Sequence, residues 1–158
     1  MGSEFATVGD KGRYEATVKE LARLARGTFL DRLGLRLVAI DADSLAAELP
    51  VSPEIAGRDG RLQAGIALAI AEAAGTLASQ AVIDRRSHET ACFDASANHC
   101  GCVAVGETVR VMVRALCLGG RTHDWEVHLK TADDRLLCVA KLRIAIKNRT
   151  DEPVRAAA

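Results

Sequence analysis

The stretch from Leu62 to Val82 limits the fold more than any other: Glu72 is its only charge, and the run is alanine-rich and free of proline. Such a run predicts a helix that is apolar nearly all round and buried on most sides. Turn-forming Gly57-Arg58-Asp59-Gly60 precedes it, so the helix is expected over about 61–82. The run is long enough to span a bilayer. A charge at its centre would cost roughly 2.5–3.5 kcal/mol there, and alanine and glycine return little. No second span follows, so the reading is a core helix and no membrane association. A carboxylate in a dry helix is costly unless it is paired or used, which makes Glu72 a site candidate.

On either side of this helix the periodicity changes. Between Glu15 and Leu33, apolar residues at 18, 21, 22, 25, 29, 30 and 33 alternate with Lys19, Glu20, Arg23 and Arg26. That is an amphipathic surface helix, ended by Gly34. Leu35–Ala42 and Leu45–Val51 read as strands joined through Asp41-Ala42-Asp43-Ser44. After the polar loop Asp84–Glu89 come four more strand candidates: Thr90–Asn98, Thr108–Leu118, Arg121–Lys130 and Leu136–Lys147. Gly119-Gly120 and Ala132-Asp133-Asp134 mark hairpins between the last three. Their period of two predicts an antiparallel sheet with one wet face. Strands on both sides of one apolar helix predict an α+β fold in which the sheet curls around it.

The 158 residues suit one domain. Met1-Gly2-Ser3-Glu4-Phe5 reads as an expression-vector leader; residues 1–13 are expected to be disordered, 14–147 to form the domain, and 148–158 to be a flexible tail. Lys plus Arg and Asp plus Glu balance at 21 each, and aromatic residues are few, so nucleic acid is not an expected partner. Five cysteines, an odd number with no secretory signal ahead of them, suggest thiols in a cytoplasmic protein.

On a helix, Gly65, Leu68, Glu72, Thr76 and Ser79 share one stripe, and Ile66, Ile70, Ala73, Leu77 and Ala81 mark a more apolar side. A Thr76 hydroxyl one turn above Glu72 can orient its carboxylate. At Gln63-Ala64-Gly65 the free N–H groups and the positive end of the helix dipole favour developing negative charge. Glu72 lies about 11–13 Å further along the axis, so the two features would meet on one substrate only across a facing subunit or a bent entry loop. On the residues alone, a structural pairing of Glu72 with a buried arginine or histidine accounts for it as well.

Taken together, Gly60-Arg61-Leu62-Gln63-Ala64-Gly65, Glu72 with Thr76, Asp94-Ala95-Ser96-Ala97-Asn98-His99, the segment from Leu118 to Val127 and the segment from Leu136 to Ile146 resemble the hotdog-fold acyl-CoA thioesterases. The chain is similar to the 4-hydroxybenzoyl-CoA type and its relatives acting on dihydroxynaphthoyl-CoA and aryl carrier proteins. The resemblance covers about 33–147. It implies a homodimer, often a homotetramer, with active sites between subunits. It implies hydrolysis of an acyl-CoA or acyl-carrier thioester, the acyl group aromatic or bulky, with no metal and no cofactor beyond the CoA of the substrate. In that likeness Glu72 attacks the thioester carbonyl or activates water, and backbone N–H groups at Ala64 and Gly65 polarise the thioester oxygen. Gln63 sits beside them, and Thr76 holds the water or the carboxylate. His99, with Asn98, lines the acyl pocket, Leu68 lies on the substrate-facing stripe, and Arg121 and Thr122 contact the nucleotide end of CoA.

Three departures bear on this. The family usually has His-Gly-Gly where this chain has Gln63-Ala64-Gly65, and Gln or Asn where it has Gly57. It often has an arginine soon after Asn-His, where this chain has Cys100-Gly101-Cys102. Gln63 still donates and accepts hydrogen bonds and Ala64 keeps its N–H, so an oxyanion site is compatible with the change. The alternative reading is a non-catalytic hotdog module that binds acyl thioesters. A hotdog dehydratase ranks below both, because no histidine lies within the helix motif.

Other constellations read more plainly. Cys100-Gly101-Cys102 beside His99 lacks zinc spacing, and these cysteines are expected as small buried hydrophobes. Asp94, Ser96 and His99 hold the letters of a hydrolase triad, but a strand puts His99 on the face opposite the other two. His123 and His128 are expected to be solvated or at a subunit contact. Arg85, Arg86, Arg110 and Arg114 are expected as solvated charges.

Overall fold

The computed structural model describes residues 11–149, with side chains from Val18 onward. Most of the expected leader, and the tail beyond Arg149, lie outside the described residues. Helix α1 runs Lys11–Ala25, starting ahead of the boundary expected at 14, and α2 is a single turn over Phe29–Arg32. One continuous helix was expected here. Gly27, at φ 71°, breaks it with a left-handed turn that side-chain-bearing residues resist, and its N–H donates to Asp31 Oδ2 at 2.8 Å. Gly34 ends the second turn, as the sequence predicts.

Strands β1 (Arg36–Ile40) and β2 (Ser44–Pro50) form the expected hairpin. A 3₁₀ turn at Pro53–Ile55 leads to α3, Ala64–Val82. Then follow β3 (His88–His99), β4 (Thr108–Leu118), β5 (Thr122–Thr131) and β6 (Leu136–Asn148). The six strands form one antiparallel sheet in the order β1-β2-β4-β5-β6-β3. After α3 the chain therefore crosses to the far side, where β3 forms an edge against β6. The strand starts two residues earlier than expected, since Ser87 and His88 N–H groups turn onto the Asp84 carbonyl and shorten the loop.

The period of two puts Leu45, Val111, Val127, Trp125, Ala140 and Ile144 inward, all at or below 1% exposure. They pack on Ile70, Ala71, Ala74 and Ala78 of α3, a helix face of small side chains that lets the sheet approach closely. The outer face is polar. There Arg143 Nε donates to Asp124 Oδ1 at 2.8 Å, and Asp94 stands level with Arg143 on the next strand. Arg110 pairs with Asp134, and Arg85 with Glu20 and the Gln80 carbonyl, so these two guanidiniums are tied rather than merely solvated.

Three contacts fix how α3 lies. Gln80 Nε2 donates to Thr90 Oγ1 at 3.3 Å, Glu72 lies near Cys92, and Ala64 shares a cleft with His99. The helix thus runs antiparallel to edge strand β3, its N-terminus beside the strand's C-terminal end.

Candidate active site

Thr76 Oγ1 donates to Glu72 Oε1 at 3.0 Å, both side chains half-buried on the flank of α3 that faces β3. The i, i+4 spacing makes the contact, and one carboxylate oxygen carries this bond while the other is left for a reacting group. Neither arginine nor histidine pairs with Glu72 among the described residues, so the structural pairing considered above is not what holds it.

The start of α3 is open. Gln63, the N-cap, has extended backbone (φ −72°, ψ 135°) and makes no side-chain capping bond. The first helical bond runs from Ala67 N–H to the Gln63 carbonyl at 3.0 Å, which leaves the first-turn N–H groups of Ala64 and Gly65 directed outward. Ala64 and Gly65 are exposed, and a methyl group added at Gly65 would meet nothing within 4 Å. An uncapped helix end with free donors is an electrostatic seat for an oxyanion. Gly57 contributes only backbone, its N–H bonding the Arg61 carbonyl at 2.8 Å.

A small cleft beside this helix end is lined by Leu62, Ala64, Ala67, His99, Cys102 and Leu137, among others. His99 is thus brought to the helix N-terminus. Asn98, one residue earlier on β3, lies on the opposite face of the sheet. Arg121 and Thr122 are not brought there. They lie at the β4–β5 hairpin, and Leu129, which lines the cleft, is seven residues along β5 from Thr122, about 23 Å. Leu68 is half-buried and packs against the core.

Sequence reasoning missed two features. Cys92, half-buried on β3, lies near Glu72 and donates its thiol to the Asp94 carbonyl at 3.4 Å; burial first, and then the glutamate charge, push that thiol above its ordinary range. Ser79, placed on the Glu72 stripe by spacing, is wholly buried on the other flank. Its hydroxyl accepts from Trp125 Nε1 at 2.7 Å and meets His123 Nδ1 at 3.1 Å. His123 was expected at the surface but is 5% exposed, and desolvation pushes its pKa below the ordinary 6.5. The parity of β5 carried this signal, because His123 shares the face of Trp125 and Val127. His128 is part-exposed and meets Glu126 at 3.1 Å. Cys100 and Cys102 are exposed rather than buried, since the chain leaves the strand there. Asp94 and Ser96 lie on the outer face and His99 on the inner, so no hydrolase triad forms.

A family model described as the thioesterase superfamily matches residues 60–138. A protein of Pseudomonas aeruginosa named as an esterase is 30% identical over 134 residues, covering 85% of this chain and 92% of that protein. The 1,4-dihydroxy-2-naphthoyl-CoA hydrolase of Escherichia coli is 27% identical over 134 residues, covering 85% and 97%. Among solved structures, a mutant thioesterase from Pseudomonas aeruginosa superposes with a TM-score of 0.78 at 27% identity, covering 93% of this chain and all of that one.

Proposed function

Because the chain belongs to the thioesterase superfamily and is a hotdog-fold thioester hydrolase, we propose that it cleaves acyl-CoA esters at a site built around Glu72. The observation that carries this reading is the Thr76–Glu72 bond, 3.0 Å long, on a helix where Glu72 is the only charged side chain. A carboxylate so held is a nucleophile for the thioester carbon, or a base for water attacking it. The Ala64 and Gly65 N–H groups stabilise the oxygen that becomes negative. In either course the carbon–sulfur bond breaks and CoA leaves as thiol; direct attack leaves a mixed anhydride on Glu72 that water then hydrolyses, whereas attack by the activated water gives the free acid at once. The acyl group is taken as aromatic or bulky, which the dihydroxynaphthoyl-CoA hydrolase likeness supports. The five cysteines, all free thiols, favour a cytoplasmic setting.

Ala64 and Glu72 are eight residues apart on one rigid helix, about 12 Å, too far to act on one carbonyl. A second copy of the chain resolves this. Edge strand β3 has exposed backbone and an exposed Phe93, and α3 runs antiparallel to it. If two β3 strands pair antiparallel with a two-fold axis near Ser96, the level of Glu72 and Cys92 in one copy meets the level of His99 and Ala64 in the other. Each site then takes its carboxylate from one subunit and its oxyanion donors and His99 from its partner. Arg121 and Thr122 lie toward the Glu72-donating end of the sheet, where the nucleotide end of CoA emerges.

Thiol release from benzoyl-, 4-hydroxybenzoyl-, phenylacetyl-, short-chain and long-chain acyl-CoA tests the reading. Turnover is expected on an aromatic member, with Glu72→Gln at least about a hundredfold slower and normally folded. Near-normal turnover in that mutant would overturn the role of Glu72. Silence on every ester, with CoA esters still raising Tm, would point to a binding module instead.

A further inference from the structure

The cleft beside the first turn of α3 is open at one end and closed at the other. His99 on β3 stands opposite Cys138 on β6, and Cys138 stands opposite Leu129 on β5, so the three side chains form one row on the inner face. Neighbouring strands lie about 4.8 Å apart, which sets Leu129 roughly 10 Å in from His99. Ala64 and Ala67 line the row from the helix side. Ala64 and His99 are exposed at the mouth, whereas Ala67, Cys138 and Leu129 are 5%, 1% and 0% exposed. The walls are tied in place: the Leu62 N–H donates to the Val103 carbonyl at 3.0 Å, and the Gly101 N–H to the Leu137 carbonyl at 3.2 Å. The cleft holds about 60 Å³, less than half of the roughly 150 Å³ of an apolar cavity that takes in benzene.

That shape sorts the two ends of a thioester. The pantetheine arm of CoA has to return to solvent, and a cleft closed by the wholly buried Leu129 gives it no way out. The acyl group takes the cleft instead, and the volume admits only part of it. We infer that the ring of an aromatic acyl group stays at the mouth, between Ala64 and His99, and that the cleft receives one small apolar substituent of that ring, with Cys138 setting its size. The inference rests on the reading of the Ala64 N–H as a donor to the thioester oxygen, which holds the carbonyl at the mouth. Cys138 lies one strand spacing in from His99, so it is the first buried side chain of the row that the substituent meets. Its thiol is a weak hydrogen-bonding group, and the buried side chains beside it are aliphatic. A hydroxyl entering there loses its water without a strong partner, and a methyl does not.

The test uses benzoyl-CoA esters carrying hydrogen, methyl, ethyl or hydroxyl at the 4-position, with wild type and Cys138→Ala. In the wild type kcat/KM is expected to be highest for the methyl ester, and at least about tenfold lower for the ethyl and hydroxyl esters. Cys138→Ala lengthens the cleft by the sulfur atom, and there the ethyl ester should overtake the methyl ester. Ethyl or hydroxyl esters as good as methyl in the wild type, or an unchanged order in Cys138→Ala, would overturn the inference. A second readout needs no turnover. In Glu72→Gln, saturating 4-methylbenzoyl-CoA should slow the reaction of Cys138 with methyl methanethiosulfonate, followed by peptide mass spectrometry, at least about tenfold more than acetyl-CoA does. The acetyl group ends at the mouth, so equal rates with the two esters, or a Cys138 that the reagent does not reach, would overturn the inference as well. A wild type silent on every thioester would refute the functional reading, and the labelling would still decide where the acyl group lies.

Discussion

Replacing Ser79 by alanine isolates the polar knot that locks α3 onto the sheet. Ser79 and Trp125 are both 0% exposed, so no water replaces a lost partner. The indole N–H donates to the serine oxygen at 2.7 Å, and the same oxygen lies 3.1 Å from His123 Nδ1. Alanine removes the acceptor and strands the indole donor, a penalty of about 1–3 kcal/mol. Better helix propensity returns at most about 0.5 kcal/mol. The net expectation is a loss of about 1–2 kcal/mol. Urea denaturation at pH 8 and fixed protein concentration reads it as a lower midpoint at unchanged slope. Ser79→Cys, a weak acceptor of similar size, should fall between the two. An alanine variant as stable as wild type would refute the claim that the indole N–H depends on this one oxygen.

Two further outcomes follow from the same packing. His123 carries a folded pKa below its unfolded value of about 6.5, so the unfolded chain binds the proton first. Stability should be full above about pH 6.5 and be lost as pH falls from there through the depressed folded value. Glu54, Asp84 and Asp133, whose pKa values are also lowered, act only below about 4.5. A urea midpoint that is flat between pH 8 and 5, or a decline that survives in His123→Asn, would contradict this. Gly75→Ala should destabilise despite a helix-propensity gain of about 1 kcal/mol. Its methyl would lie 2.3 Å from Leu142 Cδ1, and Leu142 is 3% exposed with Ile144 behind it at 0%. Overpacking of that kind costs about 1–3 kcal/mol, and a raised Tm would show that Leu142 has room to turn.

The central helix and the strands were legible because each carries its own period and its own turn residues. The hydrophobic stretch from Ala64 to Val82 and the alternation around Val111 or Val127 need no distant partner to be read. The Thr76–Glu72 bond was legible for the same reason, being local to one helix. What was not legible depends on pairing across the sheet. The bulge between Cys92 and Asp94 exists only in register with β6, so Cys92 could not be placed near Glu72 from sequence. The break at Gly27 was hidden because the apolar residues on either side of it keep a helical spacing. His123 was misread because an imidazole suggests a surface, although its parity with Trp125 places it inside.

Subunit mixing tests whether each site joins Glu72 of one copy to the first turn of α3 in another, as proposed above. Ala64→Pro removes the N–H at the first helical position, where proline fits, and Gln63 already has the extended backbone that a following proline requires. Ala64→Pro and Glu72→Gln homodimers should each be nearly inactive in thiol release. When the two are co-expressed in equal amounts, half of the dimers are mixed and each mixed dimer holds one intact site of two. Activity should then return to about a quarter of wild type. A mixture no more active than its parents would mean that both groups act within one chain, and the account of a shared site would be wrong.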